Sequence, residues 1–511
     1  MTNTEMTVRS PEIISYYTGY VILGTSVLMI IPAITALLSQ EWAPLLDFII
    51  SMGTAASIGL FLVILGKCVK SHPNCVQWKH GFSVAALSWI FLMFICAMPY
   101  FLSGHSLSYL DACFDVMSGF TTTGLVLTQD LDHLSNSLNM WRHMLTFIGG
   151  QGMVVLALSF IVKEGSGAYK FYVGEGKDIA LVPNVKGTAR IIWKISMVYL
   201  LVGTLLFWIA GLVIGLNPVS AFLHGLCVFE SAWSTGGFAP KTQNIMYYHS
   251  LLYESVAMVF MIIGSFNFGL HYAIWQGKRK EFVRNIEIQS FAITSFLGCV
   301  LAIAALNKTG LYPDAVSMFR RVVFNVLSGH TTTGFGSIYA RQFALQWGDA
   351  GILIMVIVML IGGSACSTAG GFKGLRVGIV FKGLIKDIKK LIGSERSMRV
   401  YKFHYMKDII LEDGLVRSSA LIILCYMVLF GVGTLLGTFC GYSMADASFE
   451  AASVSGNVGL SIGITSASMP VVLKIYYILA MYLGRLEFIS VFALIGLAVA
   501  GVKKACKKYR A

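Results

Sequence analysis

The segment FDVMSGFTTTGL, residues 114–125, recurs in altered form as CVFESAWSTGGF at 227–238, FNVLSGHTTTGF at 324–335 and FEAASVSGNVGL at 449–460. All four align without gaps on one glycine, Gly124, Gly237, Gly334 and Gly459, and each glycine is followed by Leu125, Phe238, Phe335 or Leu460. Six residues earlier stand Ser118, Ser231, Ser328 and Ser453; ten earlier stand Phe114, Cys227, Phe324 and Phe449. A register kept at four widely separated places marks a repeated structural unit. Each segment is flanked by long apolar stretches and is itself too short to cross a bilayer, which takes about 20 apolar residues. The unit therefore reads as span, half-crossing helix, glycine-bearing loop, span. Irregular backbone at membrane depth is tolerated only where it is buried in protein or lines a watery cavity.

Four such loops around one axis would pool their carbonyl oxygens in place of an ion's hydration shell, the principle of a potassium filter. Glycine at the anchor permits the positive φ that turns a carbonyl inward. The half-helices would aim their partly negative C-terminal ends at the conduit and favour cations. The candidate ion-binding residues are Thr122, Thr123 and Gly124; Thr235, Gly236 and Gly237; Thr332, Thr333 and Gly334; and Asn457, Val458 and Gly459. Asp115, Glu230 and Glu450 lie near these loops, with Asn325 matching Asp115 and Glu450. Cation concentration, helix capping and packing are all open to them.

Working outward, hydrophobic residues make up 56% of the 511, charged residues 12%, and the mean hydropathy is +0.74. That composition belongs to a bilayer, not to water. Ten candidate spans run at 14–38, 45–67, 81–101, 140–162, 191–216, 249–275, 287–306, 349–380, 415–437 and 470–501. The expected fold is an all-α polytopic membrane protein. A two-helix extension (1–75) precedes four pore repeats at 76–180, 181–284, 285–408 and 409–511.

The formal net charge of +13 follows topology rather than nucleic-acid binding. Basic residues collect on alternate connections: Lys67, Lys70 and Lys79; Lys163, Lys170, Lys177, Lys186 and Arg190; Lys278 to Arg284; Lys382 to Lys407; and Lys503 to Arg510. The opposite connections carry only Lys241, Lys308, Arg320, Arg321 and Arg341. The positive-inside rule makes the first side cytoplasmic, with both termini inside. Cys96, Cys299 and Cys425 sit within apolar spans and read as small hydrophobes. No C-x-x-C pair suggests zinc or redox chemistry, and the first apolar run reads as a retained span rather than a signal peptide.

Two further strings, IGGSACSTAGGFKGLR (361–376) and LGRLE (483–487), complete a pattern that resembles the Trk/Ktr/HKT superfamily of potassium transporters over almost the whole chain. The extra leading pair of spans resembles the TrkH/TrkG branch. The resemblance implies one polypeptide folded as four pseudo-symmetric subunits in a prokaryotic cytoplasmic membrane. It also implies a homodimer, a TrkA-like cytosolic nucleotide-binding regulatory subunit, and K+ as the transported ion, with no cofactor in this chain. Within the superfamily, serine in place of the first filter glycine goes with sodium preference; Gly124 therefore favours potassium.

Below the filter the repeats diverge. Small-residue strings end at Gly150, Ser265, Gly363 and Arg485, which lie 26, 28, 29 and 26 residues past their anchors. The fourth repeat thus puts an arginine where the others carry Gly or Ser. An intramembrane charge is costly and marks function by default. Glu487 lies two positions on, nearly opposite on a helix, so Arg485 is expected to face the pore and Glu487 to bond neighbouring helices. In the third repeat Gly362, Gly363, Ser364, Ser367, Thr368, Gly370 and Gly371 make the stretch too weak in helix propensity to remain helical, and Ala365, Cys366 and Ala369 fall within it. This stretch is expected to form a movable gate loop. It is not a phosphate loop, because Phe372 separates Gly371 from Lys373.

A membrane potential worth about 2.3 kcal/mol per 100 mV can draw potassium inward without ion coupling. An H+- or Na+-coupled symporter, or a less selective Na+/K+ transporter, is the alternative. Four parallel repeats argue against a solute transporter with inverted halves. Scattered histidines (His105, His143, His224, His271, His330) argue against an enzyme, and His330 alone falls within a filter segment.

Overall fold

The structure is a computed structural model, and it describes residues 10–66, 78–152, 185–392 and 400–510. Lys67, Lys70, Lys163, Lys170 and Lys177, and the part of the 140–162 span past residue 152, lie outside the described residues.

The chain is an all-α polytopic membrane protein. Among the described residues, six helices are long and apolar enough to cross a bilayer: Ser10–Leu38, Trp42–Leu65, His80–Leu102, Gly187–Val213, Ile286–Asn307 and Asp413–Phe439. The Trp42–Leu65 helix buries only 22% of its most apolar window and turns Leu46, Ile50, Leu60 and Phe61 outward. A surface of that kind is stable against hydrocarbon, not water. Ser10–Leu28 and Trp42–Leu65 approach closely where Gly19 meets Gly59: a Cβ on Gly19 would stand 2.7 Å from the Gly59 carbonyl oxygen. Without a hydrophobic driving force between helices in lipid, such small-residue contacts let backbones pack.

The spans that follow the four aligned segments are not continuous, although the sequence reads each as one crossing. Leu251–Gly264 and Phe268–Trp275 meet at 96°, and Val471–Arg485 and Ile489–Val499 at 107°. Gly348–Ile361 is followed by the non-helical 362–373 and then by Gly374–Ile392. The helix starting at Asn136 ends at Gln151, where Gly152 takes φ 98°. These upper helices end at Gln151, Gly264, Ile361 and Arg485, which lie 27, 27, 27 and 26 residues past their glycine anchors. The breaks therefore share one depth.

One feature departs from the all-α expectation. Lys402–Tyr405 and Lys407–Ile410 pair as an antiparallel hairpin, turning at Met406 with φ 57°. Phe403 buries itself against Ile286, Ile379 and Leu411, so a short apolar anchor outweighs the polar composition of this connection.

Candidate functional site

Four half-helices enter the membrane region and stop: Tyr109–Phe120, Pro218–Trp233, Met444–Ser455 and, in the third repeat, a helix that continues through a π-turn at Phe319–Val323 to end with Phe324–His330. Each has a side-chain N-cap. Ser108, Asn217, Asp314 and Ser443 accept from the backbone N–H groups of Asp111, Val219, Ser317 and Asp446. Such caps satisfy donors that the first turn leaves unpaired.

All four half-helices also end in the same way. Thr122, Thr235, Thr332 and Asn457, two residues before the anchors, adopt left-handed φ of 54°, 51°, 55° and 53°. The next N–H, from Thr123, Gly236, Thr333 or Val458, returns to the carbonyl of Ser118, Ser231, Ser328 or Ser453 at 2.8–2.9 Å. This is a Schellman termination, repeated four times. The recurrent serine supplies its backbone carbonyl in every repeat, and in the fourth its hydroxyl also accepts from Gly459 N–H at 3.0 Å. Left-handed Thr is strained by about 1–3 kcal/mol, a cost met chiefly at functional sites.

The anchors then close a ring. Gly124, Gly237, Gly334 and Gly459 have φ of 92°, 68°, 80° and 95°. A Cβ on Gly124 would meet Gly236 O, one on Gly237 Thr333 O, one on Gly334 Val458 O and one on Gly459 Thr123 O. All four approaches fall under the 3.0 Å that real Cβ atoms respect. Each anchor thus backs onto the carbonyl that precedes the next repeat's anchor, in the order one, two, three, four and back to one. Above the ring lies a cavity of about 210 Å³, bordered by Gly124, Gly334 and Gly459.

Directly below, 362–373 crosses the axis. The Thr368 hydroxyl donates to Trp233 O at 3.2 Å and Gly264 O at 2.9 Å, and lies 3.1 Å from the Thr235 hydroxyl. The Thr368 carbonyl accepts from the Thr122 hydroxyl at 3.3 Å, and Gly370 N–H donates to the Thr332 hydroxyl at 2.7 Å. A Cβ on Gly370 would lie 2.9 Å from that of Asn457. Residues 368–370 therefore meet the strained residue of every repeat. Thr368 and Ala369 are fully buried.

Arg485 ends its helix at this level. Its guanidinium donates to Thr368 O, to Gly149 O at 2.9 Å and to Gly150 O at 3.2 Å. Glu487 pairs instead with Arg376 and with Lys373, the latter at 3.9 Å. Lys373 also donates to Ala369 O, and the buried Glu287 carboxylate accepts from Ala365 N–H at 2.5 Å. One arginine thus ties the loop to the first and fourth repeats, while a buried charge cluster holds its flanks.

Residues 53–497 match the family described as cation transport protein, TrkH. The chain belongs to the TrkH family. Over 494 residues it is 28% identical to an uncharacterized cation transporter of Methanocaldococcus jannaschii, covering 96% of each chain. It is 28% identical to the Trk system potassium uptake protein TrkG of Escherichia coli, covering 94% of this chain and 97% of TrkG. It is 27% identical to the TrkH protein of Halomonas elongata, covering 93% and 96%. The crystal structure of the potassium transporter TrkH from Vibrio parahaemolyticus has the same fold, with a TM-score of 0.79 at 24% identity over 94% of this chain and 98% of that one.

In this TrkH-family chain the polar residues beside the loops act as braces. Asp115 accepts from Leu127 N–H (2.7 Å), Thr128 N–H (3.1 Å) and the Thr128 hydroxyl (2.5 Å). Glu450 accepts from Ile462, Ile464 and Thr465 N–H at 3.1, 3.1 and 3.3 Å, and Asn325 pairs with Ser337. Each holds the segment that leaves its own glycine-bearing loop. His330 is fully buried against Phe291, 2.7 Å from the Thr294 hydroxyl, on the side away from the axis.

The second repeat carries Val228 at the brace position, and its brace comes from elsewhere. Asn244, at φ 55°, donates to Gly237 O at 3.1 Å and accepts from Gly336 N–H at 3.3 Å. Buried Arg142 of the first repeat donates to Ala239 O at 3.3 Å. Sequence reading missed both, because they lie seven residues past one anchor and eighteen past another, outside the aligned segment. The missing polar residue at 228 was the available signal.

Proposed function

We propose that this chain is a gated, channel-like pathway for potassium uptake across a prokaryotic cytoplasmic membrane. The ion passes the ring of Gly124, Gly237, Gly334 and Gly459 and the carbonyls of Thr122, Thr123, Thr235, Gly236, Thr332, Thr333, Asn457 and Val458. Residues 362–371 and Arg485 form the gate. The four repeats divide at 76–180, 181–284, 285–408 and 409–511, and both termini face the cytoplasm. The relatives named for potassium uptake give the ion. The observation that carries the reading is the closed ring, in which every anchor glycine abuts the neighbouring repeat's carbonyl at positive φ. Such an arrangement presents backbone oxygens, with no room for a side chain, where a dehydrated cation must pass.

Gating follows from the contacts of Thr368. A loop that touches all four filter loops must leave the axis before an ion can descend, and its ties are one arginine, a few hydrogen bonds and the buried charge cluster at its flanks. The partners are a second copy of the chain and a TrkA-like cytosolic regulatory subunit that acts on the basic helix after Lys373. Rubidium uptake by potassium-starved cells that lack their own uptake systems tests the whole reading. Uptake by the wild-type chain, raised by Arg485→Ala, is expected. A chain that supports no rubidium uptake, or an Arg485→Ala flux unchanged across a range of membrane potentials, would overturn transport or gating respectively.

A further inference from the structure

We infer that Asn244 withdraws one carbonyl from the outer filter ring, so that the outermost ion site is three-sided and discriminates potassium from sodium less sharply than a complete ring. The inference rests on the pore reading above and concerns its selectivity.

The second filter loop differs from the other three in what its carbonyls do. Gly237 O accepts from the Asn244 amide at 3.1 Å, and Gly236 O accepts from Phe238 N–H at 2.9 Å across the tight turn at Gly237. Among the described residues, the matching carbonyls of Thr123, Gly124, Thr333, Gly334, Val458 and Gly459 accept no hydrogen bond. The orientation of the Asn244 amide is fixed by its own partners. Its oxygen accepts from Ile245 N–H at 2.8 Å and Gly336 N–H at 3.3 Å, so turning the amide over would set its NH2 against two donors. The nitrogen is therefore the end that faces Gly237 O. The cavity above the ring points the same way: Gly124, Gly334 and Gly459 border it, and the second repeat is represented there by Thr242, Gln243 and Asn244.

A carbonyl oxygen already accepting a hydrogen bond is a weaker ligand for a passing cation. Its lone pairs are partly used, and the donor's positive hydrogen lies beside the ion path. Selectivity depends on the number and field strength of the coordinating carbonyls, so losing one of four at the outer ring lowers it. The arrangement has a structural origin. With Val228 where the other repeats carry Asp115, Asn325 and Glu450, the second loop has no brace of its own. Asn244 fills that need from outside, and it binds the filter carbonyl itself in doing so.

The test is competitive rubidium uptake into proteoliposomes, with potassium or sodium as competitor, for wild type, Asn244→Ala and Asn244→Asp. Asn244→Asp keeps the oxygen that accepts from Gly336 and loses the donor to Gly237. Its new carboxylate raises the local field strength, which favours the smaller sodium ion, so the uncharged Asn244→Ala carries the comparison. In Asn244→Ala the potassium-over-sodium ratio is expected to rise about three- to tenfold, the factor that corresponds to the net worth of one hydrogen bond, and in Asn244→Asp to rise less. An unchanged or lowered ratio in Asn244→Ala, with rubidium uptake retained, overturns the inference and leaves Asn244 as a brace alone. Wild type that takes up no rubidium overturns the pore reading instead.

Discussion

Thr122, Thr235, Thr332 and Asn457 hold left-handed backbone that β-branched residues resist, and the anchors two residues later are glycines because nothing larger fits. Gly459→Ala is therefore expected to abolish rubidium uptake while the chain still inserts and purifies, since the new methyl collides with Thr123 O at a φ of 95°. Size-exclusion profiles beside flux would check this; normal flux in Gly459→Ala would mean that the ring is not the ion path. The four anchors were legible in the sequence because gapless repetition exposes them; the left-handed backbone two residues earlier was not, because Thr disfavours it and gives no sign of it. Nor were Asn244 and Arg142. Arg142 acts on the neighbouring repeat and Asn244 joins its own loop to the next one, through contacts set by the closing of the ring, outside the aligned segments.

The breaks in the four upper helices were legible as small-residue strings, and their similar offsets of 26–29 residues past the anchors already placed them at one depth. The helices end more evenly still, because the stop is fixed by packing on the half-helix ends. Cβ atoms on Gly264 and Gly484 would strike Trp233 O and Ser455 O. The hairpin of residues 402–410 was not foreseen at all, since its apolar content reduces to Phe403 and a few neighbours. It is clasped by His404, whose ring nitrogens lie 2.6 Å from Asp408 and 2.9 Å from Glu281, with Arg284 at 4.0 Å from Asp408. The Asp408 carboxylate, and then Glu281, hold the His404 pKa above its usual value, while His404 lowers that of Asp408. A raised histidine pKa contributes stability that is complete below the unfolded value, about 6.5, and is lost as pH rises through the folded value. A depressed aspartate pKa contributes stability that is lost at the acid end. The protection of residues 402–410, hydrogen exchange relative to the intrinsic base-catalysed rate at each pH, is thus expected to be greatest in mildly acidic buffer and to fall towards pH 9, with that dependence abolished in His404→Gln. A flat profile in the wild-type chain would show that the clasp carries no weight.

The ring as a whole is closed by two ion pairs of opposite polarity, one buried and one half-buried at its arginine. Lys474 of the fourth repeat meets Asp111 of the first at 2.6 Å, and Glu254 of the second meets Arg320 of the third at 2.8 Å. In each case a residue 15 or 17 positions past one anchor reaches one 13 or 14 before the next. Removing one partner of a buried pair commonly costs about 3–5 kcal/mol, because the other charge is stranded. Lys474→Met is therefore expected to lower the thermal midpoint clearly, and Lys474→Met with Asp111→Asn to recover much of the loss. Equal destabilisation in the single and double variants would argue against coupling across this seam. The sequence showed these charges only as residues in or beside apolar helices; which repeat each one faces depends on the circular order, which no single segment contains. That order also underlies the central claim, a single potassium path on the axis of four loops, closed from below by 362–371. It is tested most directly by tracer rubidium accumulation in potassium-loaded liposomes that contain the purified chain, wild type or lacking residues 364–370. Accumulation driven by the potassium gradient, faster in the deletion and absent when Gly459→Ala is added to it, is the expected result; no accumulation in either form, or accumulation that survives Gly459→Ala, would contradict it.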